Sequence, residues 1–133
     1  MKTALLVGVN RYRLLDGNDL RGCLNDVADL SALLRELYGF ERVITLVDHE
    51  ADRETILDAL RELIHDSIDG DELAFLFSGH GTQVPDVGGD EADGYDEAIC
   101  PSDTSMDDDN ALIRDDELAA IFAILSKSSA NSA

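Results

Sequence analysis

His80 is the residue in this chain whose chemistry is most readily put to use. An imidazole changes charge near neutral pH, so it can take a proton and return it. It stands in Ser78-Gly79-His80-Gly81, directly after the apolar run Leu73 to Phe77. An unbroken apolar run of that kind is what a strand buried on both faces requires. Such a strand delivers its last residues to the carboxyl edge of a sheet, where open α/β folds place their ligands. The flanking glycines let a substrate or another backbone approach. The alternative is a solvated loop histidine with no role. A natural partner for such a base is a thiol, because the thiolate is the nucleophile of acyl transfer. Two cysteines are present, Cys23 and Cys100. Cys100 lies in EAICPSD, where a small hairpin separates it from the sheet edge, and a lone cysteine is commonly a small buried hydrophobe. Cys23 precedes the first helix and so lies near the carboxyl edge of the first strand, either at the site or as a packed helix-entry residue.

The elements that must hold these residues follow from periodicity. Ala4 to Val9 reads as a buried strand, and Asn10 to Asp19 as the loop at its carboxyl end. From Asn25 the pattern is helical, with Val27, Leu30, Leu34 and Leu37 on one face and Leu33 beside them. Asn25 or Asp26 can cap its start, and Gly39 supplies a left-handed stop. Val43 to Val47 is a second strand, and Asp52 caps a second helix whose face is Ile56, Leu60, Leu63 and Ile64. Asp69-Gly70 then turns the chain into Leu73 to Phe77. Strands alternating with helices over short loops imply right-handed crossovers and a mostly parallel sheet covered on both faces, an α/β domain.

After Gly81 the character changes. From Asp86 to Glu117 there are thirteen carboxylates against Arg114 alone. Glu97 to Cys100 and Ala111 to Ile113 are short, partly apolar patches that can pair as a small acidic hairpin. Asp115 and Asp116 open a third helix, with Leu118, Ile121, Phe122 and Leu125 on its buried face. Asp107 to Asp109 read as solvated loop, and Ser126 to Ala133 as a flexible polar tail. Residues 1–125 therefore form a single domain, with no internal repeat.

The 133 residues suffice for one domain with its own core. A formal charge of −19 argues against nucleic acid and anionic membranes, and favours divalent metals or basic peptides as partners. Two cysteines are too few for a disulfide framework, which points to a reducing cytosol and a cytoplasmic location. The apolar run near the amino terminus ends at Asn10 and Arg11, too early for a signal peptide. No segment approaches the ~18 apolar residues of a membrane helix. No Gly-rich phosphate loop follows Val9, which disfavours a phosphate-binding doubly wound domain.

Four segments, taken together, resemble the metacaspases and their bacterial relatives. They are Leu20-Arg21-Gly22-Cys23-Leu24-Asn25-Asp26, Phe77-Ser78-Gly79-His80-Gly81-Thr82-Gln83, Asp93-Gly94-Tyr95-Asp96-Glu97 and Ile113-Arg114-Asp115-Asp116-Glu117-Leu118. Their order across residues 3 to about 125 makes the likeness specific. It implies a three-layer caspase–haemoglobinase fold and a cysteine endopeptidase that cleaves after arginine or lysine, calcium-dependent in its intact form. It implies His80 as the catalytic histidine and the Gly81 amide as an oxyanion donor, in keeping with donors aimed at developing charge. Cys23, Asp26 and Ser78 match residues lining the pocket for the basic side chain. A carboxylate there can pair with a guanidinium, although Asp26 can equally be a helix cap. Asp96, Asp115 and Asp116 match the family's Ca²⁺ carboxylates. Without the resemblance they read as a solvated acidic surface, since their spacing is not an EF-hand loop.

The resemblance is incomplete at one place. Caspase-type enzymes carry the nucleophilic cysteine ~50 residues after the histidine. That count falls near Ser129 to Ala133, where no cysteine stands. The expectation is therefore a catalytic segment that stops before its nucleophile and lacks the small-subunit region, inactive alone. Cys23 as a substitute nucleophile is a further possibility. A non-catalytic, calcium-responsive binding domain is the rival from another class. Without a fourth strand, Leu73 to Phe77 would lie at an open sheet edge, inviting self-association or a complementing partner.

Overall fold

Lys2–Gly8 forms β1, buried from Thr3 onward, and the main sheet is built around it. The computed structural model describes residues 1–15, 17–85, 95–105 and 111–132. Asp93, Gly94 and Asp107 to Asp109 lie outside the described residues, as do the side chains of Asp96 and Leu125. β1 is the centre of a parallel sheet, flanked by β2 (Arg42–Val47) and β3 (Glu72–Ser78). Alternate side chains point to opposite faces. Leu5, Val7 and Val9 join Ile56, Leu60 and Ile64 of α2 (Arg53–His65) and Ile121 of α3 (Asp115–Ser132). Ala4 and Leu6 join Val27, Leu30 and Leu34 of α1 (Cys23–Leu37) on the other face. The result is the three-layer α/β arrangement that the alternating pattern predicts. Leu5 and Leu6 are fully buried, each worth roughly 2 kcal/mol in water-excluded area.

The sheet order corrects one expectation. β3, read from its apolar run as the strand buried on both faces, is only half-buried from Leu73 to Ser78. β1 has a strand on each edge and helices on each face, whereas β3 pairs with β1 alone among the described residues. The apolar run alone cannot say which strand takes the centre.

Helix boundaries also differ from the sequence reading. α1 starts at Cys23 after Gly22, with no side chain of its own capping it. The free amide of Cys23 is taken instead by Asn10 Oδ1 at 2.9 Å, a cap supplied from the loop after β1. Asp26 therefore lies inside the first turn and is not the cap. The helix ends as expected: Gly39 has φ +69°, and the Tyr38 and Phe40 amides both donate to the Leu34 carbonyl. Leu37, expected on the buried face, is 73% exposed. The helix there runs off past the amino end of β1, where Lys2 Nζ donates to the Tyr38 carbonyl. In α2, Asp52 caps as predicted, accepting from the Thr55 amide at 2.8 Å, and Asp103 adds a second acceptor for the Arg53 amide. Ile56, Leu60, Leu63 and Ile64 are all buried.

Beyond Ser78 a small antiparallel sheet forms from β4 (Gly81–Pro85), β5 (Tyr95–Ile99) and β6 (Ile113–Arg114). The pairing of β5 with β6, Ile99 opposite Ile113, matches the expected hairpin. β4 was not legible, because Gly-Thr-Gln-Val-Pro carries no alternating apolar signal. The Arg53 guanidinium ties the two halves together, donating to both carboxylate oxygens of Glu117 on α3 and to the Leu112 carbonyl. This pairing lowers the Glu117 pKa and raises that of Arg53. α3 continues through the serine-rich residues to Ser132, a stretch with no glycine or proline to stop it. Among the described residues, no helix is long and apolar enough to cross a membrane.

Candidate active site

The carboxyl ends of β1 and β3 finish side by side, Gly8 opposite Ser78, and the Val9 amide donates to the Ser78 carbonyl at 2.9 Å. α1 begins immediately above Gly8. A Cβ there would sit 2.7 Å from Val27 Cγ2 and 3.0 Å from the Cys23 carbonyl, so only glycine lets the helix come this close. This contact brings the first turn of α1 to the end of β3. Ser78 Oγ donates to Asp26 Oδ2 at 3.0 Å. Asp26 and Ser78 then line an open groove of ≈ 570 Å³ with Asp29, Leu30, Leu33, Leu76 and Phe77. Cys23 is buried beside this groove and is not among its lining residues.

His80 follows in the turn from β3 to β4. Its Nε2 lies 2.6 Å from the Asn18 carbonyl. A carbonyl only accepts, so Nε2 is the donor, and a neutral ring held this way has its lone pair on Nδ1. The His80 amide donates to the Tyr12 hydroxyl at 2.8 Å, and that hydroxyl donates to the Cys100 carbonyl at 2.8 Å. The Tyr12 and His80 rings are tilted at 49° with centroids 4.9 Å apart. Burial pushes the Tyr12 phenol far up, keeping it neutral. Gly81 opens β4 opposite Ile99, and a Cβ there would make only an ordinary 3.5 Å contact.

The loop that presents Asn18 is pinned by carboxylates. Asp48 Oδ1 accepts from the Asn10 and Arg11 amides at 2.9 and 3.1 Å, and Asp19 Oδ1 from the Tyr12 amide at 2.9 Å. Asp48 itself has φ +49°, a left-handed conformation that aspartate tolerates better than most residues. Sequence reasoning missed Asn10, Tyr12, Asn18 and Asp48. The one available signal was Tyr12, a large aromatic inside an otherwise polar loop.

Cys100 is nearer to His80 than its place in the sequence implied, since its amide donates to the His80 carbonyl at 2.9 Å. The proximity is through backbone only. The side chain is 5% exposed within the main core, and burial pushes the thiol up from its ordinary value. Of the acidic candidates, Asp115 and Asp116 are exposed in the first turn of α3, and Asp96 is on β5 opposite Val84. Asp115 lines an open groove of ≈ 340 Å³ with Gly81, Gln83 and Glu97. Among the described residues, no three of His, Cys, Asp or Glu converge as a metal site.

Comparison with known proteins gives a consistent pattern. A family described as metacaspase, peptidase C14 domain, matches residues 2–130. Metacaspase-1 of Schizosaccharomyces pombe is 41% identical over 129 residues, covering 91% of this chain and 29% of the relative. Metacaspase-1A of Aspergillus oryzae is 41% identical over 110 residues, covering 77% of this chain and 26% of the relative. The chain thus spans less than a third of the length of these curated relatives. The crystal structure of a protein from Geobacter sulfurreducens superposes with a TM-score of 0.71 at 35% identity, covering 90% of this chain and 44% of that one.

The burial of Cys100 sets an expected outcome. In the native chain at pH 8, iodoacetamide should alkylate Cys100 at least about 100-fold more slowly than in urea, because little thiolate forms in an apolar site. Peptide mapping by mass spectrometry checks this, and equal rates in both solvents would contradict a core role.

Proposed function

The chain belongs to the metacaspases, caspase-like cysteine peptidases of the C14 family with the caspase–haemoglobinase fold, and from that premise we propose that it carries the histidine half of an arginine/lysine-directed site. His80 is the proton-transfer group. What carries this reading is its bond to the Asn18 carbonyl, which leaves Nδ1 as the acceptor for a thiol proton. In the reaction, the thiol gives its proton to Nδ1 and sulfur bonds to the scissile carbonyl carbon. The Gly81 amide stabilises the oxyanion, the C–N bond breaks, and the imidazolium returns its proton to the departing amine. Water then hydrolyses the thioester. Cys100 is a poor nucleophile, because its thiol is buried and held protonated. The attacking thiol is assigned to a cysteine outside these 133 residues, in line with the family spacing.

The groove at Asp26 supports the choice of a basic substrate. Two carboxylates, Asp26 and Asp29, stand over Leu30, Leu33, Leu76 and Phe77. An arginine or lysine side chain presents the complementary surface, an apolar stem and a charged head. Ser78 orients Asp26, and Cys23 backs the helix turn that carries it. Burial of both cysteines favours one rival, a binding domain without catalysis. It differs from the first reading in binding basic peptide with no role for His80.

Calcium enters as a second proposal. The β5–β6 register, Ala98 opposite Arg114, brings the strand bearing Asp96 beside the start of α3 with Asp115 and Asp116. These are hard oxygen donors of the type Ca²⁺ prefers, and six to eight oxygens are needed in all, so water or further residues must complete the shell. A bound ion would neutralise part of this acidic end of the molecule.

Four outcomes are expected. An arginine-containing peptide should shift NMR resonances of Asp26 and Ser78, and Asp26→Asn should weaken its binding at least about tenfold. In the full-length protein, His80→Ala should lower kcat/KM for that peptide by roughly 10²- to 10⁴-fold. Undiminished hydrolysis would refute the role of His80, whereas equal binding of a glutamine peptide would refute the basic pocket. Calorimetric titration with Ca²⁺ should give a binding isotherm that disappears when Asp96, Asp115 and Asp116 become Asn. An isotherm unaffected by these changes would place calcium elsewhere. The half-buried β3 edge should draw a second copy or a complementing strand, visible as concentration-dependent sedimentation; a clean monomer at high concentration argues against it.

A further inference from the structure

We propose that Tyr12 is the positioning residue for His80, holding the imidazole and its carbonyl acceptor as one fixed pair. The proposal deepens the reading of His80 as the proton-transfer group and rests on it. A 2.6 Å bond between His80 Nε2 and the Asn18 carbonyl needs both ends held: the histidine backbone and the loop that presents the carbonyl. Tyr12 reaches both.

On the histidine side, the Tyr12 hydroxyl accepts the His80 N–H and donates its own proton to the Cys100 carbonyl, each at 2.8 Å. An amide only donates and a carbonyl only accepts, so the hydroxyl proton has one assignment. The Cys100 amide donates in turn to the His80 carbonyl at 2.9 Å. Tyr12 Oη, Cys100 and His80 therefore close a ring of three bonds that fixes the turn from β3 to β4. The Tyr12 ring, 4.9 Å from the imidazole, limits its rotation from one side. On the acceptor side, the Tyr12 amide donates to Asp19, the neighbour of Asn18. The Leu15 amide donates to the Tyr12 carbonyl at 3.0 Å, and the Asn18 amide to the Leu15 carbonyl at 3.3 Å. The loop carrying the acceptor thus hangs from the same residue that holds the donor.

Two further observations show that the oxygen, and not the ring volume alone, is used here. Tyr12 is 2% exposed, and a buried hydroxyl costs stability unless it is bonded. Phenylalanine would fill the same space with no polar atom to satisfy. Gly79 makes room for that oxygen as well as for the Phe77 ring: a Cβ at this position would sit 2.7 Å from Tyr12 Oη and 2.7 Å from Phe77 Cζ.

The test uses the ¹⁵N-labelled 133-residue chain and the exchange with water of the His80 Nε2–H proton, with His49 and His65 as internal references. Tyr12→Phe should accelerate this exchange about tenfold, the change expected when one buried hydrogen bond stops holding the pair. Gly79→Ala, which leaves Tyr12 in the chain but crowds its oxygen, should do the same, and it carries the test if Tyr12→Phe fails to fold. Leu63→Ala on α2, a destabilising change outside the site, should leave the exchange within about twofold of the parent chain. A parent-like rate in Tyr12→Phe, or equal acceleration in Leu63→Ala, overturns the positioning role. Either result leaves the base role to be judged by hydrolysis in His80→Ala, so the two readings fail separately.

Discussion

The pairing of β1 with β3 through Gly8 and Ser78 is the constraint on which the rest of the molecule depends. Parallel strands in register must end together, so whatever follows each of them shares one edge. After Gly8 comes the loop that carries Asn10, Tyr12 and Asn18, and after Ser78 comes His80. The same glycine that ends the ladder lets α1 settle directly on the sheet, with Cys23 and Val27 against it. One register and one missing Cβ thereby gather a base, its acceptor and an acidic groove at one edge of the sheet.

An edge of this kind carries many backbone groups that no ladder satisfies, and buried ones must find partners. Here the partners are side chains from other segments. Asn10 caps α1, Asp48 takes two amides of the loop after β1, Asp19 takes the Tyr12 amide, and Asp103 takes the Arg53 amide. Apart from the Asp19 bond, which closes one loop on itself, these bonds join segments that the chain order separates. The polar network is therefore also the scaffold of the site, which explains how a long loop with little regular structure holds His80 and Asn18 at hydrogen-bonding distance.

The charge of −19 is unevenly used. Some carboxylates are structural acceptors, and Glu117 is matched by Arg53 between α2 and α3. Others, such as Asp26 and Asp29 at the groove and Asp115 and Asp116 on α3, face outward into solvent. Those are the positions at which the proposed basic peptide or metal ion would relieve repulsion between like charges.

Periodicity alone determined the alternation of strands and helices, the Asp52 cap, the Gly39 stop and the buried face of α2, because each depends on neighbours within one or two turns. A glycine-flanked imidazole after an apolar run likewise singled out His80 without any long-range contact, whereas Asp26 and Ser78 were reached only through the likeness to the metacaspases. Only the tertiary structure decided that β1 rather than β3 lies at the centre, that Leu37 is exposed, and that Asn10 rather than Asn25 or Asp26 caps α1. It alone decided that Cys100 meets His80 by backbone while its thiol turns into the core, and that Tyr12 and Asn18 belong to the site. The physical reason is common to all of these: strand order, a distant cap and a buried hydroxyl are set by which segments fold against one another, and no window along the chain contains both partners.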